Sequence, residues 1–252
     1  MRLKTILLII PLLAVGMTAC ASRGPTLEAM DQEALFQYGM ERLRDEDWSG
    51  AIAAFERFTF TFPDNPRVAE ARFRMGEAYA GRGEYVTAAM ELNRLASDFP
   101  AGPWADDARF AVCNAYYELS PAPPRDQQYT ATAIDHCRSL TLYYPESEYV
   151  PRAQEVMQEL VNKLAQKDFE TAEYYFRRRA YHSANIYYEG VAADYPETPW
   201  APRALLRLHE SYTILGYEEE AQEVRERLLR DFPSSPEAQQ IDGSGITADS
   251  RP

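Results

Sequence analysis

The chain has 252 residues, of which 46% are hydrophobic, 12% aromatic and 26% charged, enough apolar material for one elongated or two compact domains and too much for a disordered chain. A formal charge of -13 and a pI near 4.8 exclude attraction to nucleic acid by counterion release. At the N-terminus, Arg2 and Lys4 precede an apolar run from Ile6 to Val15, and small residues then lead to Cys20. This is the pattern of a signal peptide with a cysteine at its cleavage point. The apolar run falls well short of the roughly 20 residues a membrane-spanning helix needs.

Met17-Thr18-Ala19-Cys20 resembles the bacterial lipobox, with Met17 in the usual place of leucine. The resemblance implies a signal peptide over 1–19, a diacylglycerol and a further acyl chain on Cys20, and, with Ala21 rather than Asp after the cysteine, sorting to the outer membrane. An ordinary secretory signal is the alternative. Two or more acyl chains anchor stably where one does not. Loss of the signal removes Arg2 and Lys4 and leaves a charge of -15. Residues 20–31 lack a sustained apolar period and read as a lipidated tether.

From there the chain is periodic. Phe62-Pro63, Phe99-Pro100, Tyr144-Pro145, Tyr195-Pro196 and Phe232-Pro233 each close an apolar helical stretch, at spacings of 37, 45, 51 and 37 residues. In the second unit a helix over 71–79 meets the turn Ala80-Gly-Arg-Gly83, and a second helix runs from Glu84 to Leu95 before Phe99-Pro100. Counting back from each proline recovers the same small and large positions: Gly39, Ala51 and Phe55; Gly76, Ala88 and Leu92; Cys113, Ala133 and Cys137; Ala172, Ala184 and Tyr188; His209 and Ala221. This spacing resembles the tetratricopeptide repeat, and the resemblance implies an all-α, right-handed solenoid of about five helix pairs over 32–240, because one pair cannot bury its apolar face alone. Residues 241–252, with Gly243 and Gly245, are expected to be disordered.

Proline stops each second helix, and the Pro-Trp of DFPAGPW and DYPETPW suits the start of the next. Trp104 and Trp200, with Tyr149 in the equivalent place, are expected to wedge the joint between neighbouring units. Two units depart from the pattern. The third gains eight residues around Ser120–Asp126, a loop because its prolines forbid helix. The fourth gains fourteen, and the absence of Pro and Gly from Arg152 to Tyr175 predicts one lengthened first helix, a natural dock for a partner.

Phe36, Phe73, Phe110 and Phe169 recur at one place in the first helices, either facing a concave peptide groove or belonging to the core. Met40, Leu43, Asn114 and Tyr117 are groove candidates by periodicity. Arg177, Arg178 and Arg179, in a very acidic chain, read either as a solvated turn or as a patch for an acidic partner. Cys113 and Cys137 sit on packed stripes of one unit; two small core residues are favoured over a disulfide, because the required Cα separation is narrow. His136, His182 and His209 lie on three different helices without a second ligand at helical spacing, so no metal site is indicated. Gly81-Arg-Gly83 lacks the strand before it and the Lys-Ser/Thr after it that a phosphate loop requires. No nucleophile–base arrangement and no cofactor motif is present, which argues against an envelope hydrolase or any other enzyme.

The lipobox, the tether and five repeats, with a long fourth unit reading Ala172-Glu-Tyr-Tyr175, Arg179-Ala-Tyr181 and Tyr195-Pro-Glu-Thr198, resemble the BamD family of competence lipoproteins over about residues 30 to 240. The resemblance implies a non-enzymatic subunit of the complex that inserts β-barrels into the outer membrane, at its periplasmic face beside other assembly lipoproteins. It implies that the N-terminal repeats meet the aromatic C-terminal signal of unfolded barrel precursors. It also implies that the C-terminal repeats, with Arg177 to Arg179, Tyr181 and Tyr187, dock the POTRA region of a BamA-like barrel protein. Family members often carry arginine where this chain has Tyr187. The alternative is a repeat lipoprotein coordinating pilus assembly or peptidoglycan synthesis.

Overall fold

A computed structural model describes residues 26–246 of the chain, with side chains to residue 243. After a short 3-10 turn at Leu27–Ala29, the helices are α1 (Gln32–Arg44), α2 (Trp48–Thr61), α3 (Val68–Gly81), α4 (Tyr85–Asp98), α5 (Ala105–Leu119), α6 (Gln128–Tyr143), α7 (Val150–Arg177), α8 (Tyr181–Asp194), α9 (Trp200–Leu215), α10 (Glu218–Asp231) and α11 (Pro236–Ile246). They form five antiparallel pairs in a right-handed tetratricopeptide-like solenoid, with α11 packed against the last pair. Asp31 and Asp47 cap the first pair, their carboxylates accepting from the Ala34 and Gly50 amides at 2.8 and 3.0 Å. Every second helix stops at its aromatic–proline step. Phe62, Phe99, Tyr144, Tyr195 and Phe232 leave helical geometry with φ between -126 and -133, each donating its N–H four residues back. Pro199 is the N-cap of α9, whereas Pro103 stands one residue ahead of Trp104, the N-cap of α5.

In the first two pairs a glycine of the first helix faces a large residue of the second, Gly39 against Phe55 and Gly76 against Leu92. A methyl group added at Gly76 would lie 2.5 Å from Leu92 Cγ, so only glycine permits this approach. The third unit fills the same slot with a bond. Cys113 and Cys137, both fully buried, form a disulfide with Cα atoms 4.8 Å apart. This corrects the expectation of two unlinked core cysteines: the slot is where paired helices come closest, and that brings the Cα atoms inside the bonding range.

Two chain-end expectations also change. Leu27 and Met30, assigned to the tether, pack against the first core cluster. Ile241, assigned to a disordered tail, lies within α11, where it is buried with Leu205, Leu228 and Ala238. Leu27 and Met30 at one end and Ile241 at the other cover terminal units that otherwise lack a neighbour, too short a signal to register as a period. Cys20 and the signal peptide lie outside the described residues. Among those residues no helix is long and apolar enough to cross a membrane; α7, at 28 residues, is amphipathic.

Candidate partner-binding surfaces

First helices touch one another along the row (α1 with α3, α3 with α5, α5 with α7, α7 with α9), whereas no pair of second helices comes as close. The first helices therefore line the inner, shorter wall, the surface such solenoids use to hold extended segments.

The recurring phenylalanines are not free on that wall. Phe36 is fully buried and Phe73 nearly so. Phe73 stacks on Trp104 with centroids 5.0 Å apart, Phe110 on Tyr149 at 4.7 Å, and Phe169 meets Trp200 at 5.2 Å. At the first joint an arginine replaces the aromatic wedge, the Arg67 guanidinium lying 3.4 Å from the Phe36 ring centre. Of the two readings, groove or core, burial favours the core for Phe36 and Phe73, and with the wedge residues four positions after each closing proline Phe36, Phe73 and Phe110 form the inter-unit joints. The Tyr149 hydroxyl donates to Asp107 at 2.7 Å, and this bond, with burial, pushes its pKa up to about 12.

Asn114 lines a recess of about 280 Å³ formed by α3, α4 and α5, where Ala80, Tyr85, Leu92 and Ala111 give apolar walls and Glu77 and Glu118 add charge. Met40 and Leu43 are half-buried against the first core cluster and offer only their edges. Tyr117 spans two units, its hydroxyl donating to Glu159 of α7 at 2.7 Å with the Lys163 ammonium 5.9 Å from its ring centre.

The larger cleft, about 670 Å³, lies on the C-terminal half of α7 between the third-unit loop at Pro124 and Trp200. Phe169, Tyr174 and Tyr175 give it aromatic walls, and Lys167, Glu170 and Arg177 give it charge. The loop is held from within: buried Gln127 donates its amide to the carbonyls of Ala122, Pro123 and Arg125. In the wall of the cleft, Glu173 accepts from Arg207 Nε at 2.6 Å, from its second nitrogen at 3.0 Å, and from the Tyr188 hydroxyl at 2.5 Å. Arg207 also reaches Glu210 at 2.6 Å and lies 4.1 Å over the Phe176 ring. Burial raises the Tyr188 pKa, and the Glu173 carboxylate raises it further.

The three arginines are exposed at the α7–α8 turn. Arg177 faces the large cleft, Arg178 lies 3.6 Å over the Tyr174 ring, and Arg179 adopts left-handed backbone at φ 62. The equivalent turn position in the fifth unit is Gly216, at φ 76. Holding an arginine there costs on the order of 1 kcal/mol. Tyr181 and Tyr187 turn inward instead, against Phe176 at 5.2 Å and Tyr175 at 5.6 Å, so they shape the turn from beneath. Sequence reasoning missed Glu173, Arg207 and Lys167. Arg207 finds Glu173 across 34 residues, and nothing local marks such a pair. Among the described residues no group of three or more His, Cys, Asp or Glu is placed to hold a metal ion.

A right-handed row of antiparallel helix pairs, with clefts along its first helices and a basic turn beside the larger one, is a tetratricopeptide-type solenoid. More narrowly, the chain belongs to the YfiO family of outer membrane lipoproteins, whose match spans residues 28–228. Its relatives include outer membrane protein assembly factor BamD of Caulobacter vibrioides, 27% identical over 88% of this chain and 74% of that one. BamD of Neisseria meningitidis serogroup A is 23% identical over 93% of each chain. Among solved structures, the TPR2AB domain of yeast Sti1 in its pHSP90 complex covers 86% of this chain and 83% of its own, at 16% identity and a TM-score of 0.48, a likeness of fold alone.

Proposed function

We propose that this chain is a lipid-anchored scaffold of the machinery that assembles β-barrels in the outer membrane. It is held at the periplasmic face through Cys20 and works without cofactor or catalysis. The recess at Asn114 and the neighbouring inner wall receive extended, aromatic-rich segments of unfolded barrel precursors. The fourth unit docks the POTRA region of a BamA-like barrel protein, alongside other assembly lipoproteins. One observation carries the reading most: the 28-residue α7 brings a cleft of about 670 Å³ beside three exposed arginines in a chain of net charge -13. A basic turn on an acidic protein is a local attractor that its own surroundings do not supply, and it favours a partner with a complementary acidic face.

The test is co-purification in mild detergent from the native cell. The tagged chain is expected to bring down a β-barrel protein with POTRA domains, and replacing Arg177, Arg178 and Arg179 by glutamate to cut that recovery by roughly tenfold, the loss of about 1.4 kcal/mol. Recovery unchanged by the three charge reversals would remove the turn from the interface. Arg179→Gly separates strain from binding: its thermal midpoint is expected to rise, because glycine takes left-handed backbone freely, while recovery of the partner falls.

A further inference from the structure

The second helices turn several large apolar side chains to solvent, among them Phe60 on α2, Met90 on α4, Leu142 on α6 and Ile186 on α8. Phe60 differs from the rest in two ways. It is the most exposed, at 82%. It also lines a recess of about 470 Å³ together with Leu27 and Glu28, which belong to the 3-10 turn where the described chain begins. Thr26 follows Cys20 by six residues in the sequence, and six residues, even fully extended, reach roughly 20 Å. With acyl chains on Cys20, the bilayer surface therefore lies within that distance of the turn that shares its recess with Phe60. Helix rows are spaced about 10 Å apart, so Ile186 on the fourth pair stands roughly 30 Å farther along the solenoid, beyond the same reach.

We propose that the Phe60 edge of the first unit is a membrane seat, with the ring entering the boundary between headgroups and acyl chains. The proposal rests on the lipid anchor of the preceding section. The contact is apolar rather than electrostatic. The recess carries Glu28 and Glu56 against the single Arg57, and Glu56 already accepts the Tyr79 hydroxyl at 2.9 Å. The recess is net negative, so anionic headgroups supply no attraction there, and the seat is no weaker on zwitterionic lipid or at high salt. Its consequence is orientation. A tether alone leaves the solenoid free to swivel, whereas a seated first unit fixes which edge faces the bilayer and holds the inner wall at a constant angle to it.

The test uses the full acylated protein with an environment-sensitive thiol dye attached through Phe60→Cys, and in parallel through Leu142→Cys and Ile214→Cys, which are also exposed. Each is mixed with phosphatidylethanolamine–phosphatidylglycerol vesicles and with phosphatidylcholine vesicles, and flotation is recorded alongside emission. The expected result is that all three proteins float. Only the dye at position 60 shifts to the blue and loses several-fold of its quenching by aqueous iodide, at least as strongly on phosphatidylcholine as on the anionic vesicles and undiminished at high salt. A protein that floats with the position-60 dye unchanged overturns the seat while leaving the anchor standing. One that fails to float overturns both. A blue shift at position 60 that needs no vesicles and grows with protein concentration assigns the patch to a second copy of the chain and likewise overturns the seat.

Discussion

Arg207→Ala is expected to lower stability by about 2–3 kcal/mol, read as a thermal midpoint falling by roughly 4–12 °C for a domain of this size. The substitution removes both hydrogen bonds to Glu173 and leaves that carboxylate half-buried with only the Tyr188 hydroxyl as partner. The two side chains retain 28% and 20% exposure, which places the cost below the 3–5 kcal/mol of a fully buried pair. Because the pair joins α7 to α9, the loss falls on the coupling of the fourth and fifth units rather than on one helix pair. The pH dependence has a definite sign. Burial pushes the Glu173 carboxyl up, but the hydrogen bonds from Arg207 and Tyr188 outweigh it and hold the group below its ordinary value of 4.5. A depressed folded value means that the stabilisation is complete above the unfolded value and is lost as pH falls through the folded one. The difference between the native chain and Arg207→Ala is thus expected to be constant at neutral pH and to shrink below about pH 4. Replacing both partners by apolar residues of similar volume is expected to recover most of the loss, since neither charge is then stranded.

Removing the Cys113–Cys137 bond, by Cys113→Ala with Cys137→Ala, is expected to cost about 3.5 kcal/mol, the chain-entropy value for closing a loop of this length. The bond spans the third unit, whose inserted loop lengthens the connection between α5 and α6 and so weakens the coupling a short turn provides elsewhere. Both cysteines are fully buried, so a mild reductant reaches them only when the unit opens. Reduction in native buffer is expected to be slow and to accelerate with low concentrations of urea. Rapid reduction without denaturant would place the bond outside the packed slot.

The repeat and its irregularities were legible because proline and glycine act locally. An aromatic–proline step ends a helix wherever it stands, and the absence of both residues from Arg152 to Tyr175 marked a long α7 directly. The wedge at Trp104, Tyr149 and Trp200 was legible for the same reason, since it follows at a fixed distance from the stop. Phe36, Phe73 and Phe110 were not, because a residue three positions before a packing contact satisfies the period of an inner wall and of a joint equally. The wedge partner that decides between them lies at least 31 residues away. The disulfide shared this difficulty: spacing placed both cysteines on packed stripes, but whether two Cα atoms stand 4.8 Å apart depends on how the helices cross. The turn at Arg177 to Arg179 was visible as a charge run, while the left-handed backbone of Arg179 and the cleft beside it emerge only from the assembled fold.

In the proposed function two surfaces of one solenoid serve two different partners, and photo-crosslinking in the living cell distinguishes them. A photoreactive residue in place of Arg178 is expected to trap a β-barrel protein bearing POTRA domains, and one in place of Asn114 to trap newly exported barrel precursors, each without the other's product. Crosslinks from both positions to pilus or peptidoglycan-synthesis proteins, with no barrel protein in either, would assign the solenoid to a different envelope machinery.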